Sequence, residues 1–455
     1  MRNPHVLLIP YPAQGHVIPL MELALNLAKH GFKVTFVNTE FNHERVIKAL
    51  PETDKVQELI QMVSLPDGLE SSDDRREIGK LSESIFDVMP GELKALIERI
   101  NGSKSEKISC LIADAAMGWA LEVVEKMGIK KVAFWPAAAA LLALLLKIPS
   151  LIDDGIIDSD GQPMKNQKIQ LSPMMPVMKT MDLYWSCISD DELTRKLFFK
   201  HMEKIVKPTK SADSLICNSS YWLESGTFDS YPDILPIGPL LASNRLEKST
   251  GYLWQEDSGC LAWLDQQPPD SVIYVAFGSF TVFDHNQFQE LALCLELTDR
   301  PFLWVVRQNI TEDVDNAYPT GFEERVHHRG RMVSWAPQQK VLSHPSVACF
   351  ISHCGWNSTI EGISNGIPFL CWPYFSDQIF NKNYICDYLK IGLELNKDDN
   401  GIIRREEIKN KLVRVLGDEA FKERALDLQA KIHNGVREGG SSYKNFNDFV
   451  AWIKD

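Results

Sequence analysis

The chain has 455 residues, which is too long for one hydrophobic core and predicts two domains of roughly 200 residues each. Its formal net charge is −13, from 48 Lys and Arg residues against 61 Asp and Glu residues. A surface of this sign repels nucleic acid and anionic membranes, so we expect neither as a partner. The nine cysteines are scattered and form no C-x-x-C pair, which predicts reduced thiols in a cytoplasmic protein rather than a disulfide or zinc framework.

Neither terminal nor internal apolar segments predict export or membrane insertion. The apolar stretch near the N-terminus is interrupted by prolines and is too short for the core of a signal peptide. The longest uncharged apolar run, 133–146, contains Pro136 and falls short of the roughly 20 residues that span a bilayer. We interpret it as a buried helix or a pocket wall, and we expect a cytoplasmic monomer.

Strands and helices alternate along the first half of the chain. A short apolar strand is predicted at 5–10, and Pro19 suits the first position of the helix that follows. Gly31 ends that helix before a second strand at 33–38. The alternation continues with a strand at 108–113, a helix at 120–126 and a strand at 131–135. Such alternation indicates a parallel sheet covered by helices on both faces.

A second series of elements follows a polar stretch, 241–258, which we interpret as a linker. Its predicted strands are at 271–277, 302–306, 331–334, 348–352 and 368–372, with a helix near 287–298. We therefore expect an α/β protein with two doubly wound, Rossmann-like domains, 1–240 and 259–436, facing each other across a cleft. A last helix, 437–455, is expected to pack toward the first domain. Ligands of such sheets bind beyond the carboxyl ends of the strands.

One loop of this kind, Ser352 to Ser358, combines His353, Gly355, Trp356 and Asn357. It precedes a helical stretch, so unpaired N–H groups and the helix dipole favour an anion such as phosphate there. Alternatively, Ser358 and Glu361 form only an S-x-x-E capping box. Lys340 is the only Lys or Arg between residues 335 and 378. A bound diphosphate would therefore be held by backbone dipoles, neutral donors or a protonated histidine.

These residues belong to a longer pattern that resembles a known family. The pattern comprises Trp335-Ala336-Pro337-Gln338, then His353-Cys354-Gly355-Trp356-Asn357-Ser358, Glu361, and Asp377-Gln378. It resembles the 44-residue signature box of the plant family-1 UDP-glycosyltransferases, and the interval from Trp335 to Gln378 also has 44 residues. The likeness extends over essentially the whole chain, starting at Pro10-Tyr11-Pro12-Ala13-Gln14-Gly15-His16. It implies a GT-B fold with the donor bound by the second domain and the acceptor by the first.

The resemblance also implies how a UDP-sugar is held. The tryptophan at the position of Trp335 stacks on uracil, and the backbone at Ala336 hydrogen-bonds it. Glu361 resembles the ribose ligand, with Gln338 nearby. The diphosphate contacts correspond to Ser279, His353, Asn357 and Ser358. The sugar contacts correspond to Trp356, Asp377 and Gln378. Glutamine at the last of these positions is associated with glucose donors.

A hydroxyl needs a base to become a good nucleophile, and His16 lies in the first strand-to-helix loop. By resemblance, His16 is the base and Asp114 is the carboxylate that orients and stabilises it. The alternatives are a loop histidine without a catalytic role and an Asp114 that caps the helix near Trp119. The implied reaction is a single displacement in which UDP departs from the face opposite the attack, so that an α-linked donor gives a β-glycoside.

No metal is expected. Asp158-Ser159-Asp160 and Asp313-Val314-Asp315 fit the Asp-x-Asp pattern of metal-dependent enzymes, but we interpret both as solvated turns. A nicotinamide-dependent oxidoreductase would need G-x-G-x-x-G in the first turn, which is missing from 10–16. A non-catalytic UDP-sugar-binding protein need not keep both His16 and Asp114.

Residues near the expected sugar and acceptor sites depart from the family pattern or vary. Pro136 stands where many family members carry Ser or Thr against the donor sugar. The variable segment 150–185 is expected to select the acceptor. The expected acceptor is a phenolic or flavonoid, and a terpenoid acceptor is left open. A UDP-sugar other than UDP-glucose is left open as the donor. Candidate pocket residues, for which core packing is the alternative, are Trp119, Trp135, Tyr184, Trp185 and Phe375.

Overall fold

A computed structural model describes residues 3–49, 59–102, 107–240, 256–257, 259–312 and 317–455. The chain forms two compact units. The first comprises Met1–Trp254, Phe375–Asp377 and Ile432–Asp455, and the second comprises Gln255–Tyr374 and Gln378–Lys431. Most of the predicted linker, 241–258, lies outside the described residues, as does Asp313-Val314-Asp315.

The first unit is built on a parallel sheet of seven strands in the order β3-β2-β1-β4-β5-β8-β9. These strands are β1 (His5–Ile9), β2 (Lys33–Thr39), β3 (Gln61–Leu65), β4 (Ile108–Asp114), β5 (Lys130–Trp135), β8 (Ser214–Cys217) and β9 (Ile234–Pro236). A separate antiparallel hairpin pairs β6 (Lys168–Ile169) with β7 (Met178–Lys179). The helices are α1 (Gln14–Lys29), α2 (Glu40–Ala49), α3 (Ile78–Asn101), α4 (Trp119–Val124), α5 (Ala139–Leu146), α6 (Ile148–Asp153), α7 (Glu192–Lys210), α8 (Tyr221–Ser230) and α17 (Ser441–Lys454).

Both faces of this sheet are buried, as its continuous apolar strands require. Val6 and Leu8 of β1 face one hydrophobic cluster, to which α1 and α17 also contribute. Leu7 and Ile9 face the opposite cluster, which includes one side of α3. The C-terminal helix α17 is thus part of the core of the first unit, through Phe446, Phe449, Val450 and Ile453.

The second unit has a parallel sheet of six strands in the order β12-β11-β10-β13-β14-β15. The strands are β10 (Val272–Ala276), β11 (Phe302–Val305), β12 (Gly330–Val333), β13 (Val347–Ser352), β14 (Phe369–Cys371) and β15 (Gly392–Glu394). The helices are α9 (Gly259–Leu264), α10 (His285–Leu297), α11 (Phe322–Val326), α12 (Gln338–Leu342), α13 (Trp356–Ser364), α14 (Asp377–Asn383), α15 (Arg405–Gly417) and α16 (Glu419–Val436). Asp377 of α14 and the end of α16, from Ile432 onward, belong to the first unit.

Two parallel sheets, each in an alternating strand-and-helix order, confirm the predicted α/β class and its two Rossmann-like units. One helix start was predicted wrongly. The first helix begins at Gln14 and contains Pro19 in its interior. The missing N–H of a proline costs one hydrogen bond of the second helical turn there, and the buried apolar side chains on both sides of Pro19 hold the helix together. None of the helices in the described ranges is long and apolar enough to cross a bilayer.

Candidate active site

His16 and Asp114 are brought together by neighbouring strands. β1 and β4 pair in parallel with Ile9 opposite Ala113, so their carboxyl ends meet at the same edge. His16 follows β1 within the first turn of α1 rather than in a loop, and Asp114 ends β4. Nδ1 of His16 lies 2.6 Å from Oδ2 of Asp114. A carboxylate only accepts hydrogen bonds, so Nδ1 carries the hydrogen and Nε2 is the nitrogen left to accept a proton.

The two side chains differ in exposure, which sets their electrostatics. The side chain of Asp114 is fully buried, whereas that of His16 is 33% exposed. Burial lowers the pKa of His16, but the charge of Asp114 and the hydrogen bond to it outweigh burial. The pKa of His16 is therefore raised above its usual value, as expected for a base whose protonated form is stabilised by a buried carboxylate.

Asp114 also has a capping role, although not at the helix near Trp119 that the sequence left open as an alternative, because Gly118 is the N-cap of that helix. Its Oδ1 accepts a hydrogen bond of 2.9 Å from the backbone N–H of Ala116, at the start of a short 3₁₀ turn. The two interpretations are compatible because each uses a different oxygen. The cap fixes the carboxylate, so that Oδ2 is held toward His16.

An aromatic neighbour of His16 was not predicted. The ring of Tyr11 lies 5.3 Å from the imidazole, centroid to centroid, and its hydroxyl is 3.1 Å from Oγ of Ser82. Burial raises the pKa of Tyr11 to about 12, so it remains a neutral phenol at physiological pH. Its position in the loop after β1 was the available signal, but only the tertiary contact shows that it packs against His16.

In the second unit, Arg307 stabilises the loop after β10 by hydrogen bonds to its backbone. The buried guanidinium donates to the carbonyl oxygens of Gly278 and Thr281. This cation was not predicted, because it lies outside the signature box and 26 residues or more from the groups it holds. Ser279, one of the expected diphosphate contacts, is a partly exposed residue of this loop.

His353 lies directly against the backbone of two glycines. A Cβ atom on Gly278, whose φ is +64°, would stand 2.5 Å from Nε2 of His353, and one on Gly355 would stand 2.6 Å away. Only glycine leaves room for the ring at both positions. Burial and the nearby charge of Arg307 lower the pKa of His353 to about 4. Burial and the charge of Arg307 therefore favour the neutral imidazole at physiological pH, which argues against a protonated His353 at the expected diphosphate site.

Gln338 links three residues into one network. Its Oε1 accepts from the hydroxyl of Tyr274 at 3.1 Å, and its Nε2 donates to Ser358 Oγ at 2.8 Å and to Glu361 Oε2 at 2.7 Å. Burial is the main cause that raises the pKa of Glu361 to about 7. The hydrogen bond from Gln338 opposes this effect, and the charge of Glu256 adds to it. Glu361 is thus a buried carboxylate held beside two other candidate donor ligands.

The capping box of Ser358 and Glu361, which the sequence left open as an alternative, is not formed. The helix α13 begins at Trp356 with Gly355 as its N-cap, so Ser358 lies inside the first turn and caps nothing. Because α13 starts there, the N–H groups of its first turn, including that of Asn357, lie at the end of the helix where anions bind. Trp356 is almost fully buried.

Trp335 and Ala336 directly precede α12 and are both buried, at 8% and 3% exposure. The backbone carbonyl of Trp335 accepts a hydrogen bond of 2.9 Å from the N–H of Asp257. This contact fixes the backbone at the expected uracil position. The position is therefore set by a residue at the end of the predicted linker, which the sequence did not indicate.

The last two residues of the box are divided between the units. Gln378 is buried in the second unit, and its Oε1 accepts from the N–H of Tyr374 at 2.8 Å. Asp377 belongs to the segment Phe375–Asp377 of the first unit. After burial and Asp114, its charge is a further influence on His16 and helps to raise the pKa of that imidazole.

The five acceptor-pocket candidates differ in burial and in hydrogen bonding. The indole N–H groups of Trp135 and Trp185 donate to backbone carbonyls, of Ala138 at 2.8 Å and of Gly161 at 2.9 Å, which is the behaviour of core residues. Trp119 and Tyr184 are equally buried, but their N–H and hydroxyl have no hydrogen-bond partner within the described part of the first unit. These two are the candidates still able to bind a polar group of a ligand. Phe375 is partly exposed.

The turn after Pro136 is held by an unpredicted carboxylate. Glu224, only 3% exposed, accepts from the N–H groups of Ala139 at 2.8 Å and Ala140 at 2.9 Å. Ser219 donates to the same carboxylate at 2.6 Å. Glu224 therefore caps α5 from 84 or 85 residues away in sequence, which no local pattern indicates.

The remaining candidate metal motif forms a turn. Oδ1 of Asp158 accepts from the backbone N–H groups of Asp160 and Gln162. Among the residues that the structure describes, no three His, Cys, Asp or Glu side chains are grouped to hold a metal ion.

Comparison with known proteins gives a consistent result. Residues 200–436 match the family described as UDP-glucoronosyl and UDP-glucosyl transferase. The chain is 48% identical to UDP-glycosyltransferase 83A1 of Arabidopsis thaliana, over 100% of this chain and 97% of the relative. It is 33% identical to 7-deoxyloganetin glucosyltransferase of Catharanthus roseus, over 100% and 97%.

Solved structures give the same result for the fold. A structure of Phytolacca americana UGT2 with UDP-2-fluoro-glucose and pterostilbene matches with a TM-score of 0.81 and 26% identity, over 99% of each chain. The match includes both units and confirms the GT-B fold that the resemblance implied.

Proposed function

Because the chain belongs to the UDP-glucoronosyl and UDP-glucosyl transferase family, we propose that it is an inverting glucosyltransferase that uses UDP-glucose. It transfers glucose to a hydroxyl of a small apolar plant metabolite, a phenolic or flavonoid, and forms a β-glucoside. The observation that carries this proposal is the 2.6 Å hydrogen bond between His16 and Asp114. A protein that only binds UDP-sugars has no need of a buried carboxylate behind a partly exposed imidazole.

In the proposed reaction, Nε2 of His16 removes the proton of the acceptor hydroxyl as its oxygen attacks the anomeric carbon. The bond from that carbon to the diphosphate oxygen breaks on the opposite face, and UDP leaves. Asp114 stabilises the imidazolium that forms. The leaving diphosphate is met by the start of α13 and by neutral donors, among them His353, whose pKa is lowered by burial. The proton on His16 then returns to solvent.

Donor binding is assigned to the network of Gln338, Ser358 and Glu361, with uracil against Trp335. Gln338 is already hydrogen-bonded to Ser358 and to Glu361, so the three side chains are held in place before the ligand binds. The sugar is proposed to contact Trp356, Asp377 and Gln378, without a metal ion. Glucose is the proposed sugar because of Gln378 and because the matching solved structure contains UDP-2-fluoro-glucose.

The acceptor class is the least constrained part of the proposal. Relatives are named for different substrates, among them linamarin synthase 1 of Manihot esculenta and the 7-deoxyloganetin enzyme. A terpenoid acceptor is therefore kept as the second candidate. Another UDP-sugar remains an alternative, because Pro136 replaces a hydroxyl residue expected to touch the donor sugar.

The test is an array of UDP-sugars against phenolic, flavonoid and terpenoid alcohols, measured by UDP release and by the anomeric configuration of the product. We expect UDP release that depends on the acceptor, is fastest with UDP-glucose and is unchanged by EDTA. The product is expected to be β-linked. An α-linked product or strong inhibition by EDTA would contradict the mechanism. Donor binding without turnover on any acceptor would favour a non-catalytic UDP-sugar-binding protein.

A further inference from the structure

The hairpin of β6 and β7 in the first unit presents two lysines side by side. In its register Lys168 lies opposite Lys179, and Ile169 lies opposite Met178. Ile169 and Met178 are buried, so the two exposed lysines are on the outer face. Like charges directly opposite each other destabilise a pair of strands. A partner with negative charge on the outside would remove this cost.

Exposed apolar side chains lie next to these lysines. Val177 and Met181, which are 51% and 52% exposed, stand on either side of the second strand, whereas Met178 and Thr180 are buried. Met181 belongs to the short 3₁₀ turn Thr180–Asp182 that follows the strand, so the exposed residues Val177, Lys179 and Met181 occupy every second position of the chain here. Large apolar side chains grouped with lysines on an exposed face are typical of interaction surfaces rather than of an inert loop.

The segment that carries the hairpin is held together by its own hydrogen bonds. Oγ1 of Thr180 donates to the carbonyl of Lys165 at 2.6 Å, and the N–H of Thr180 donates to that of Gln167 at 2.9 Å. Further along the segment, the indole N–H of Trp185 donates to the carbonyl of Gly161. The backbone of Lys165 is therefore fixed beside Thr180. We define the basic-apolar face as Lys165, Lys168, Val177, Lys179 and Met181.

The charge of this face is opposite to that of the whole chain. Residues 161–181 contain three lysines and no acidic residue, in a chain of net charge −13. The next acid, Asp182, lies 3.9 Å from the ammonium group of Lys179. That ion pair is long and Lys179 remains 59% exposed, so its ammonium is still accessible to a second anion.

We propose that the basic-apolar face docks the protein onto an anionic lipid surface. The lysines pair with lipid phosphates while Val177 and Met181 enter the interface between headgroups and acyl chains. Lysines next to exposed apolar side chains supply the two contributions, electrostatic attraction and burial of apolar area, that binding to an anionic lipid surface requires. The negative charge of the whole chain predicts repulsion, but at physiological salt it is screened beyond about 8 Å, whereas the face lies against the lipid. This inference does not depend on the proposed transferase activity.

The experiment is flotation of the full-length protein with phosphatidylcholine vesicles that contain or lack phosphatidylserine. We expect binding only with phosphatidylserine, and its loss at high salt. The double variant Lys168→Glu/Lys179→Glu should bind at least about tenfold less, since each lysine near such a surface contributes substantially. Val177→Ser/Met181→Ser should bind several-fold less at each salt concentration at which the wild type binds. The matched control is Lys126→Glu/Lys210→Glu, which changes the charge equally at two exposed lysines outside the face.

Circular dichroism and thermal unfolding of each variant establish that it is folded. Equal losses in the control and in the Lys168/Lys179 variant would mean that only overall charge matters, and would overturn the proposal. It would also be overturned if the wild type did not bind phosphatidylserine vesicles, an outcome that would leave the face to an acidic protein partner.

Discussion

Replacing Asp114 with asparagine probes the proposed catalytic pair most sharply, because the change keeps the size of the side chain and removes its charge. Asp114 is fully buried and accepts two hydrogen bonds, one on each oxygen, from His16 and from Ala116. An amide has a single acceptor oxygen. In Asp114→Asn, either the Ala116 N–H loses its acceptor or Nδ1 of His16 meets an NH₂ group and the imidazole adopts the wrong tautomer.

The expected loss can be estimated from this geometry. A short hydrogen bond to a buried carboxylate is charge-assisted, and its removal withdraws the stabilisation of the imidazolium that forms in the reaction. Loss of such an orienting carboxylate lowers kcat by ~10²–10⁴-fold. That range corresponds to about 3–5 kcal/mol of the activation barrier.

The pH profile distinguishes catalysis from support of the turn. In the wild type, burial lowers the pKa of His16, and Asp114 raises it above its usual value. Without the charge of Asp114 the burial effect predominates, so the pKa of His16 falls. The acid limb of kcat/KM against pH, measured by UDP release, should therefore move to lower pH while the plateau falls. A plateau near the wild-type rate, or an acid limb that moves upward, would refute the reasoning.

The remaining predictions concern the second unit. Since the pKa of Glu361 is about 7 and its carboxylate is the form that accepts hydrogen bonds from the ribose hydroxyls, UDP-glucose should bind about tenfold more weakly at pH 6 than at pH 8 by calorimetry. The same dependence in Glu361→Gln would contradict the assignment. Gly278→Ala should weaken UDP-glucose binding several-fold, because its Cβ would stand 2.5 Å from His353. Gly401→Ala is the control, since Gly401 also has a positive φ but a Cβ there would have no neighbour within 4 Å. The control variant should lower only the melting temperature. Equal affinity for UDP-glucose in both variants would contradict the proposed role of the contact between Gly278 and His353. Gln378→His should lower kcat/KM for UDP-glucose relative to other UDP-sugars, and an unaltered preference would remove Gln378 from sugar recognition.

The long apolar strands of both sheets could be predicted because they are buried on both faces and read as continuous hydrophobic runs. Four strands of these two sheets were not predicted, and they are three to five residues long: Gln61–Leu65, Ser214–Cys217, Ile234–Pro236 and Gly392–Glu394. The first of them is only partly buried. Such segments are strands because a neighbouring strand pairs with them, which the local sequence does not encode.

The candidate site divides in a similar way. Residues of the signature box and the pair His16 and Asp114 were found through the resemblance and through their positions at strand ends. Arg307 and Glu224 were not found, because each acts on backbone groups that lie far away in the sequence. The low pKa of His353 could not be predicted either, since it depends on burial and on Arg307, which only the folded structure brings together.

The role of His16 as the base is tested most directly by His16→Ala, with turnover and donor binding measured on the same preparations. We predict that kcat for glucosyl transfer falls by ~10²–10⁴-fold, while the Kd for UDP-glucose from calorimetry stays within a few-fold of the wild-type value. Transfer at the wild-type rate by His16→Ala would show that another group removes the hydroxyl proton.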